Sequence, residues 1–138
     1  MTAVLLDTGA IIALLDRRER FHQPVSVVLA DLEFPLVTCE PVIAEACHLV
    51  RHLPGAVEAI LGNLGEGLFE IPFLLSRETR HVVQVLRKYA DQQMDLADAC
   101  LVVLAEELGT GDILTLDRDF LLYRWGRNRP FRLLLDLV

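Results

Sequence analysis

Two aspartates of this 138-residue chain follow short apolar runs that are typical of buried strands. Asp7 comes directly after Val-Leu-Leu, and Asp117 comes after Ile-Leu-Thr-Leu. If these strands are parallel neighbours, both carboxylates emerge at one edge of the sheet, which is where open α/β sheets bind their ligands. Carboxylate oxygens in that place could hold a metal ion. For either aspartate alone, capping of the next helix is the competing interpretation.

Two further acids lie where a predicted helix would bury or half-bury them. Asp98 projects from a helix predicted over residues 95–108 that is apolar nearly all round, and a carboxylate on a packed face is costly unless a partner compensates its charge. Asp95 and Asp98 could instead form a capping box. Glu45 lies at the edge of the apolar arc of a helix predicted over residues 41–50, where its stem could also snorkel along the surface.

The four carboxylates taken together predict a divalent cation. Asp7, Glu45, Asp98 and Asp117 have no lysine among them, and only Arg118 is adjacent in sequence. Such a cluster would repel itself and raise its own pKa values. Mg²⁺ and Mn²⁺ prefer oxygen ligands, and one or two such ions can activate water for an in-line displacement at a phosphodiester.

The elements that must position these residues alternate between strands and helices. Short, wholly apolar strands that alternate with helices predict an α/β fold with a parallel sheet covered on both faces. The length and the 53% hydrophobic content predict a single domain over residues 1–138 with one core. Strands are predicted over residues 3–6, 34–37, 68–73, 113–116 and 131–135, and helices over residues 8–15, 22–32, 41–50, 55–64, 77–89 and 95–108, with a short helix after Asp117.

The net charge of −7 argues against a nucleic-acid partner, whose affinity normally comes from cations. If a cation takes up the charge of the four clustered acids, however, the balance moves to about −3. Arginines are also interleaved with Tyr123, Trp125 and Phe131 near the C-terminus, a combination that suits phosphates and base stacking, although a solvated basic tail is the simpler interpretation. The candidate RNA-binding residues are Arg17, Arg18, Arg20, Arg118, Arg124 and Arg127.

The sequence predicts a cytoplasmic protein. No apolar run approaches the roughly 18 to 20 residues of a membrane span, and no basic leader precedes the first apolar run. Cys39, Cys47 and Cys100 lie among apolar neighbours without metal-ligand spacing, which predicts reduced core residues.

Four segments resemble, in order and spacing, the motifs of PIN-domain ribonucleases. The resemblance covers essentially the whole chain and is greatest to the small single-domain members, including the toxins of VapBC-type toxin–antitoxin pairs. The segments are Leu-Leu-Asp7-Thr8-Gly9-Ala10, Glu45 within Val-Ile-Ala-Glu-Ala-Cys-His, Asp95-Leu-Ala-Asp98-Ala, and Ile-Leu-Thr115-Leu-Asp117-Arg-Asp119-Phe.

This resemblance implies a three-layer α/β/α fold with a central parallel sheet of about five strands. It also implies an endoribonuclease that depends on Mg²⁺ or Mn²⁺, cuts single-stranded RNA and leaves 5′-phosphate and 3′-hydroxyl ends. A homodimer and a small antitoxin partner, which threads an arginine-bearing segment into the acidic site, are implied as well. The matching positions are Asp7, Glu45, Asp98 and Asp117 for the acidic quartet, with Thr8, Asp95 and Thr115 in supporting roles and Asp119 as a helix cap.

Other functions would place acids at strand ends too. A receiver domain needs a lysine late in the chain, but the only lysine is Lys88. An aspartate-nucleophile phosphatase could use Asp117 and Asp119, but Leu121 stands where its threonine should follow. A catalytically silent PIN-like domain that binds RNA or acts as a scaffold remains the main alternative, and the intact quartet argues against it.

Overall fold

The computed structural model describes residues 3–33 and 35–137 of the chain. Its strands are β1 (Val4–Leu6), β2 (Leu36–Val37), β3 (Phe69–Glu70), β4 (Asp112–Leu114), β5 (Arg124–Trp125), β6 (Arg129–Pro130) and β7 (Arg132–Leu133). Its α-helices are α1 (Thr8–Leu15), α2 (His22–Asp31), α3 (Glu40–Leu49), α4 (Ala56–Gly65), α5 (Leu75–Lys88) and α6 (Leu96–Leu108), and 3₁₀ turns cover Ala90–Gln92 and Arg118–Leu121.

Within the described residues, five strands form one parallel sheet in the order β3-β2-β1-β4-β7. The central strand β1 consists of Val4, Leu5 and Leu6, which are at most 2% exposed. Such complete burial explains why this strand is a continuous apolar run rather than an alternating one. Helices flank the sheet in a three-layer arrangement, which confirms the predicted fold class.

Helix α6 is the buried helix that the sequence predicts. Every side chain from Ala97 to Ala105 is buried, and the helix packs against α5 and α3. It ends at Gly109, whose φ of 67° lies in the left-handed region that favours glycine. Because α6 has apolar neighbours on nearly every side, its only acid in this buried stretch, Asp98, is held in a fixed position.

Several elements differ from the sequence prediction in their extent. Strand β4 ends at Leu114 rather than at residue 116, and β7 is shorter than the predicted 131–135. Helix α5 begins at Leu75 rather than at residue 77. The predicted strand over 34–37 is seen as Leu36–Val37, and Phe34 lies outside the described residues.

The hairpin of β5 and β6 is absent from the sequence prediction. Its turn contains Gly126 and Asn128, both with positive φ, so that two very short strands can pair in antiparallel fashion. Trp125 packs so closely on Gly111 that a Cβ there would lie 2.0 Å from the indole Nε1. The hairpin therefore depends on a contact between distant residues rather than on strand periodicity.

Two other observations concern the cysteines and the membrane. Cys39 and Cys100 are fully buried, Cys47 is half-buried, and all three are free thiols. In the part of the chain that the structure covers, no helix has the length and apolar character needed to cross a bilayer.

Candidate active site

The pairing of β1 with β4 places two of the predicted site residues side by side. Leu6 lies opposite Leu114 in the parallel register, and the Asp7 N–H donates to the Leu114 carbonyl at 3.1 Å. Asp7 and Asp117 therefore emerge from the same edge of the sheet, as the sequence predicts for parallel neighbours.

Three carboxylates converge at this edge. Asp7, Asp98 and Asp117 each offer one oxygen atom, and these oxygens all lie within 4.8 Å of one another. Glu45, half-buried on α3, and Asp95, exposed before α6, line the same open pocket of about 270 Å³. The structure thus brings together three members of the predicted quartet as a tight cluster, with Glu45 in the wall around them.

Asp7 is held by two hydrogen bonds and is 6% exposed. Its Oδ1 accepts the Thr8 N–H at 2.8 Å, which makes it the N-cap of α1, and its Oδ2 accepts the Thr115 hydroxyl at 2.6 Å. Burial raises the pKa of Asp7 from 3.8 to about 6, against the lowering effect of these hydrogen bonds. Capping and membership of the cluster are therefore compatible roles.

Asp98 is 8% exposed and bears the largest electrostatic cost in the site. Burial, followed by the neighbouring carboxylates of Asp95 and Asp7, raises its pKa from 3.8 to about 8. Asp95 caps α6 by accepting the Asp98 backbone N–H at 2.8 Å. A capping box would also require the Asp98 side chain to accept the backbone N–H of Asp95, and the described residues show no such hydrogen bond. The Asp98 side chain instead accepts the Tyr123 hydroxyl at 3.4 Å.

Asp117 caps the 3₁₀ turn that follows β4. Its Oδ1 accepts the Asp119 N–H at 2.8 Å, and its own N–H donates to the Thr115 hydroxyl at 3.0 Å. The expectation that Asp119 caps this turn is therefore wrong, because Asp119 lies inside the turn and donates its N–H to the true cap. Burial raises the pKa of Asp117 above its ordinary value.

The donor set of this pocket fits a divalent cation. Burial is the main cause of the raised pKa values of Asp7 and Asp98, and no lysine or arginine lines the pocket among the described residues to offset it. Carboxylate oxygens are the preferred ligands of Mg²⁺ and Mn²⁺. Thr8 also lines the pocket, and its buried hydroxyl oxygen has no hydrogen-bond partner among the described residues. This orphaned oxygen indicates that the site is completed by something other than the protein.

The predicted RNA-binding arginines lie outside the pocket and fall into two groups. Arg17, Arg18 and Arg20 are exposed in the turn after α1, a helix of eight residues that is about 12 Å long. The others are in the C-terminal part: Arg118 follows Asp117 and Arg127 lies at the hairpin turn, both exposed, whereas Arg124 is half-buried.

Two of these guanidinium groups are already engaged by the protein. Arg124 Nη1 donates to the carbonyls of Leu121 and Tyr123, both at 3.0 Å. Arg18 pairs with Asp16, with 3.2 Å between Nε and Oδ1. Whether any of these arginines binds RNA stays a prediction.

One residue in contact with the cluster was not predicted from the sequence. Tyr123 appeared there only as one of several aromatics among arginines, yet its hydroxyl reaches Asp98. No local pattern carries this information, since the contact joins α6 to a segment 25 residues further along the chain.

Both the sequence and the fold are similar to those of known proteins. The sequence model of the PIN domain family matches residues 4–126, a range that includes all four acids of the predicted quartet. Ribonuclease VapC26 of Mycobacterium tuberculosis (strain ATCC 25618 / H37Rv) is 36% identical over 117 residues, which cover 83% of this chain and 87% of that protein. The crystal structure of Mycobacterium tuberculosis VapC20, described as a sarcin-ricin loop cleaving toxin, matches 92% of this chain and 99% of its own with a TM-score of 0.80 and 17% identity. The structural match shows a shared fold.

Proposed function

Because this chain belongs to the PIN-domain family and is of the VapC type, we propose that it is an endoribonuclease that uses Mg²⁺ or Mn²⁺ to cleave single-stranded RNA. The observation that carries this proposal is the cluster of Asp7, Asp98 and Asp117, whose oxygens lie within 4.8 Å of one another at the carboxyl edge of the sheet. Similarity to a ribonuclease over most of both chains supports the same activity.

In this proposal Asp7, Asp98, Asp117 and Glu45 hold the cation. When bound there, a divalent cation lowers the pKa of water for attack on phosphorus and offsets the charge that develops on the leaving 3′ oxygen. The three clustered aspartates supply anchored oxygens, because each is fixed by hydrogen bonds from the protein. Glu45 is half-buried and not part of the tight cluster, so it can turn toward the cation or toward a water molecule.

Thr115 has a supporting role that follows from its contacts. It is fully buried, donates its hydroxyl proton to Asp7 Oδ2, and accepts the N–H of Asp117. One hydroxyl therefore ties two members of the cluster together and fixes the direction of the Asp7 carboxylate. Donation to this carboxylate also opposes the rise of its pKa, which favours the charged form that a cation needs.

The RNA backbone is expected to cross the acidic pocket and meet exposed arginines outside it. Arg118 and Arg127 are exposed on the C-terminal side, and Arg17 and Arg20 are exposed beyond the end of α1. Arginine suits this role because its guanidinium group forms bidentate contacts with phosphate. Arg124 is a weaker candidate, since its Nη1 is engaged by backbone carbonyls.

We further propose that the chain is the toxin of a type II toxin–antitoxin pair and is inhibited by a small antitoxin. Likeness to VapC proteins, one of them described as a toxin, supports this. The whole of residues 1–138 would act as one domain, because β7, which lies beyond the family match, is an edge strand of the same sheet. A homodimer and a cytoplasmic location stay predictions.

The test is cleavage of a mixed single-stranded RNA by purified protein in Mg²⁺ or Mn²⁺, with EDTA as the cation-free condition. Asp98→Asn removes one clustered charge with little change in shape. Asp31→Asn is the matched control, because Asp31 is an exposed aspartate at the end of α2. We expect the wild type and Asp31→Asn to cut RNA, and EDTA or Asp98→Asn to abolish cutting.

A folded protein that neither binds Mn²⁺ nor cuts RNA would refute the proposal in favour of a catalytically silent domain. Cutting that persists in EDTA, or in Asp98→Asn, would refute the role of the cluster. If the protein binds Mn²⁺ but does not cut the mixed RNA, the same assay is repeated on structured RNAs. Cutting there would show a nuclease with a narrow structured target, and no cutting would favour the catalytically silent domain.

A further inference from the structure

Tyr123 lies in the aromatic core beneath the acidic pocket. It is fully buried, and its ring packs edge-on against Tyr89 and Phe120, with centroids 5.0 Å and 5.1 Å away. Phe131 extends this cluster by packing on Phe120 at 5.2 Å. Two rings therefore contact the phenol directly and hold it in one orientation, and Phe131 supports one of them from the other side of the cluster.

The hydroxyl of Tyr123 is directed at Asp98. It donates to Oδ2 of that carboxylate at 3.4 Å, and this is the hydroxyl's only hydrogen bond among the described residues. The Tyr123 hydroxyl is closed to water, and a buried hydroxyl without a partner is costly, so it depends on the Asp98 carboxylate as its acceptor. Burial, followed by the charge of Asp98, raises the pKa of the Tyr123 phenol above its ordinary value of 10, so the group remains a donor.

A comparison with Thr115 shows what this donor can do. Each of the two most buried acids of the cluster accepts one side-chain hydroxyl: Asp7 from Thr115 at 2.6 Å, and Asp98 from Tyr123 at 3.4 Å. Partners of this kind orient the groups that bind a metal and influence its affinity. The Tyr123 contact is longer than the usual O–H···O distance of about 2.7 to 2.8 Å, so we expect it to contribute less than the Thr115 contact.

We propose that Tyr123 is a positioning residue of the active site, whose hydroxyl holds the Asp98 carboxylate in the orientation needed to bind the divalent cation. This inference rests on the proposed function, since it assigns a residue to the same cation site. Tyr123 cannot touch RNA, because it is fully buried. Its effect must therefore pass through Asp98, and it should influence cation binding and turnover without changing the affinity for RNA.

The chain offers a matched control in the neighbouring tyrosine. Tyr89 is also buried and packs against Tyr123, but its hydroxyl accepts the backbone N–H of Arg124 at 2.8 Å instead of touching an acid. Tyr123→Phe and Tyr89→Phe each remove one buried hydroxyl from the same aromatic cluster. A purely structural role predicts similar effects for both variants, whereas a positioning role separates them.

The experiment measures Mn²⁺ affinity by calorimetric titration of the whole protein, thermal stability in EDTA, and kcat and KM for RNA at saturating Mn²⁺. For Tyr123→Phe we expect Mn²⁺ affinity and kcat to fall about 3- to 10-fold with KM unchanged. This is less than the roughly 10- to 100-fold that loss of a hydrogen-bond partner of a metal ligand typically costs, because the contact is long at 3.4 Å. For Tyr89→Phe we expect Mn²⁺ affinity and kcat within about twofold of wild type, with a lower melting temperature because the Arg124 N–H loses its acceptor.

Equal Mn²⁺ affinities for wild type and Tyr123→Phe, or equal losses in the two tyrosine variants, would overturn the positioning role while leaving the proposed nuclease intact. If the wild type itself binds no Mn²⁺, the proposed function and this inference both fall. The titration of the wild type therefore separates the two failures before either variant is compared.

Discussion

Replacement of Asp98 by asparagine should stabilise the cation-free protein while removing its function. Asp98 is 8% exposed, and its folded-state pKa is about 8 against an ordinary value of 3.8. The folded protein therefore binds a proton at this site more tightly than the unfolded chain does. The stability that the protonated form contributes is fully present below pH 3.8 and is lost as the pH rises through about 8.

The size of this effect follows from the shift in pKa. A tenfold change in proton affinity corresponds to about 1.4 kcal/mol, so the rise of the pKa from 3.8 to about 8 sets a ceiling of about 6 kcal/mol on the cost of charging Asp98. The pocket is open to solvent, and the neighbouring acids can take up protons in its place, so we expect about half of that ceiling. This gives a gain for Asp98→Asn of about 3 kcal/mol at pH 8.5, and about 1 kcal/mol at pH 5, where the wild type is mostly protonated at this site.

Thermal denaturation followed by circular dichroism in EDTA would measure this gain. For a domain of this size, the melting temperature of Asp98→Asn should exceed that of the wild type by about 10 °C at pH 8.5 and by about 3 °C at pH 5. Adding Mn²⁺ should stabilise the wild type more at pH 8.5 than at pH 5, since protons compete with the cation, and should stabilise Asp98→Asn much less. Asp31→Asn, at an exposed position, should change the melting temperature by less than about 2 °C at either pH.

The outcome that would refute this reasoning is specific. If Asp98→Asn melts at a lower temperature than the wild type at pH 8.5, the charged carboxylate stabilises the cation-free fold instead of destabilising it. A gain that is the same at both pH values would show that the effect comes from packing rather than from ionisation.

Two other predictions concern the groups around the cluster. Thr115→Val should cost about 2 kcal/mol of stability and lower Mn²⁺ affinity about tenfold, because it removes a buried hydrogen bond to the Asp7 carboxylate. Denaturant unfolding measures the stability, and calorimetric titration measures the Mn²⁺ affinity. Thr115→Ser keeps the hydroxyl and should keep both properties near those of the wild type, so a serine variant as weak as the valine variant would contradict the hydrogen-bond argument. Arg127→Ala should weaken RNA binding and reduce the dependence of affinity on salt by about one phosphate contact, whereas Arg124→Ala should mainly lower stability, since its Nη1 is bonded to backbone carbonyls. Binding isotherms over a range of salt concentrations test this pair, and an unchanged salt slope for Arg127→Ala would remove it from the RNA surface.

Much of the fold follows from local patterns in the sequence. The apolar run before Asp7 predicts a strand buried on both faces, and the nearly uniform apolar character around Asp98 predicts a buried helix, both of which the structure confirms. The edges of elements are less predictable. Strand β4 stops at Leu114, and the next residue, Thr115, donates its hydroxyl to Asp7, a contact that hydrophobic periodicity does not reveal.

The hairpin of β5 and β6 shows a second kind of limit. Its strands contain two residues each, which is too short for an apolar period to be visible, so the sequence predicts no strand there. What stabilises the hairpin is the packing of Trp125 against Gly111 and the bond from its indole to the Pro130 carbonyl. The first of these contacts joins residues that are distant in sequence, and only the folded chain brings them together.

The amino-acid sequence by itself determined which side chains could do chemistry, because a buried or half-buried carboxylate is recognisable from the apolar pattern around it. It also determined the class of fold, since burial on both faces leaves a local signature in the central strands of the sheet. The tertiary structure decided that β1 and β4 are neighbours, that Asp7, Asp98 and Asp117 meet within 4.8 Å, and that Tyr123 reaches Asp98. The reason is physical. Burial of a side chain is signalled by the hydrophobic pattern of its own segment. The distance between two carboxylates, and its effect on their pKa values, depends instead on how separate segments pack.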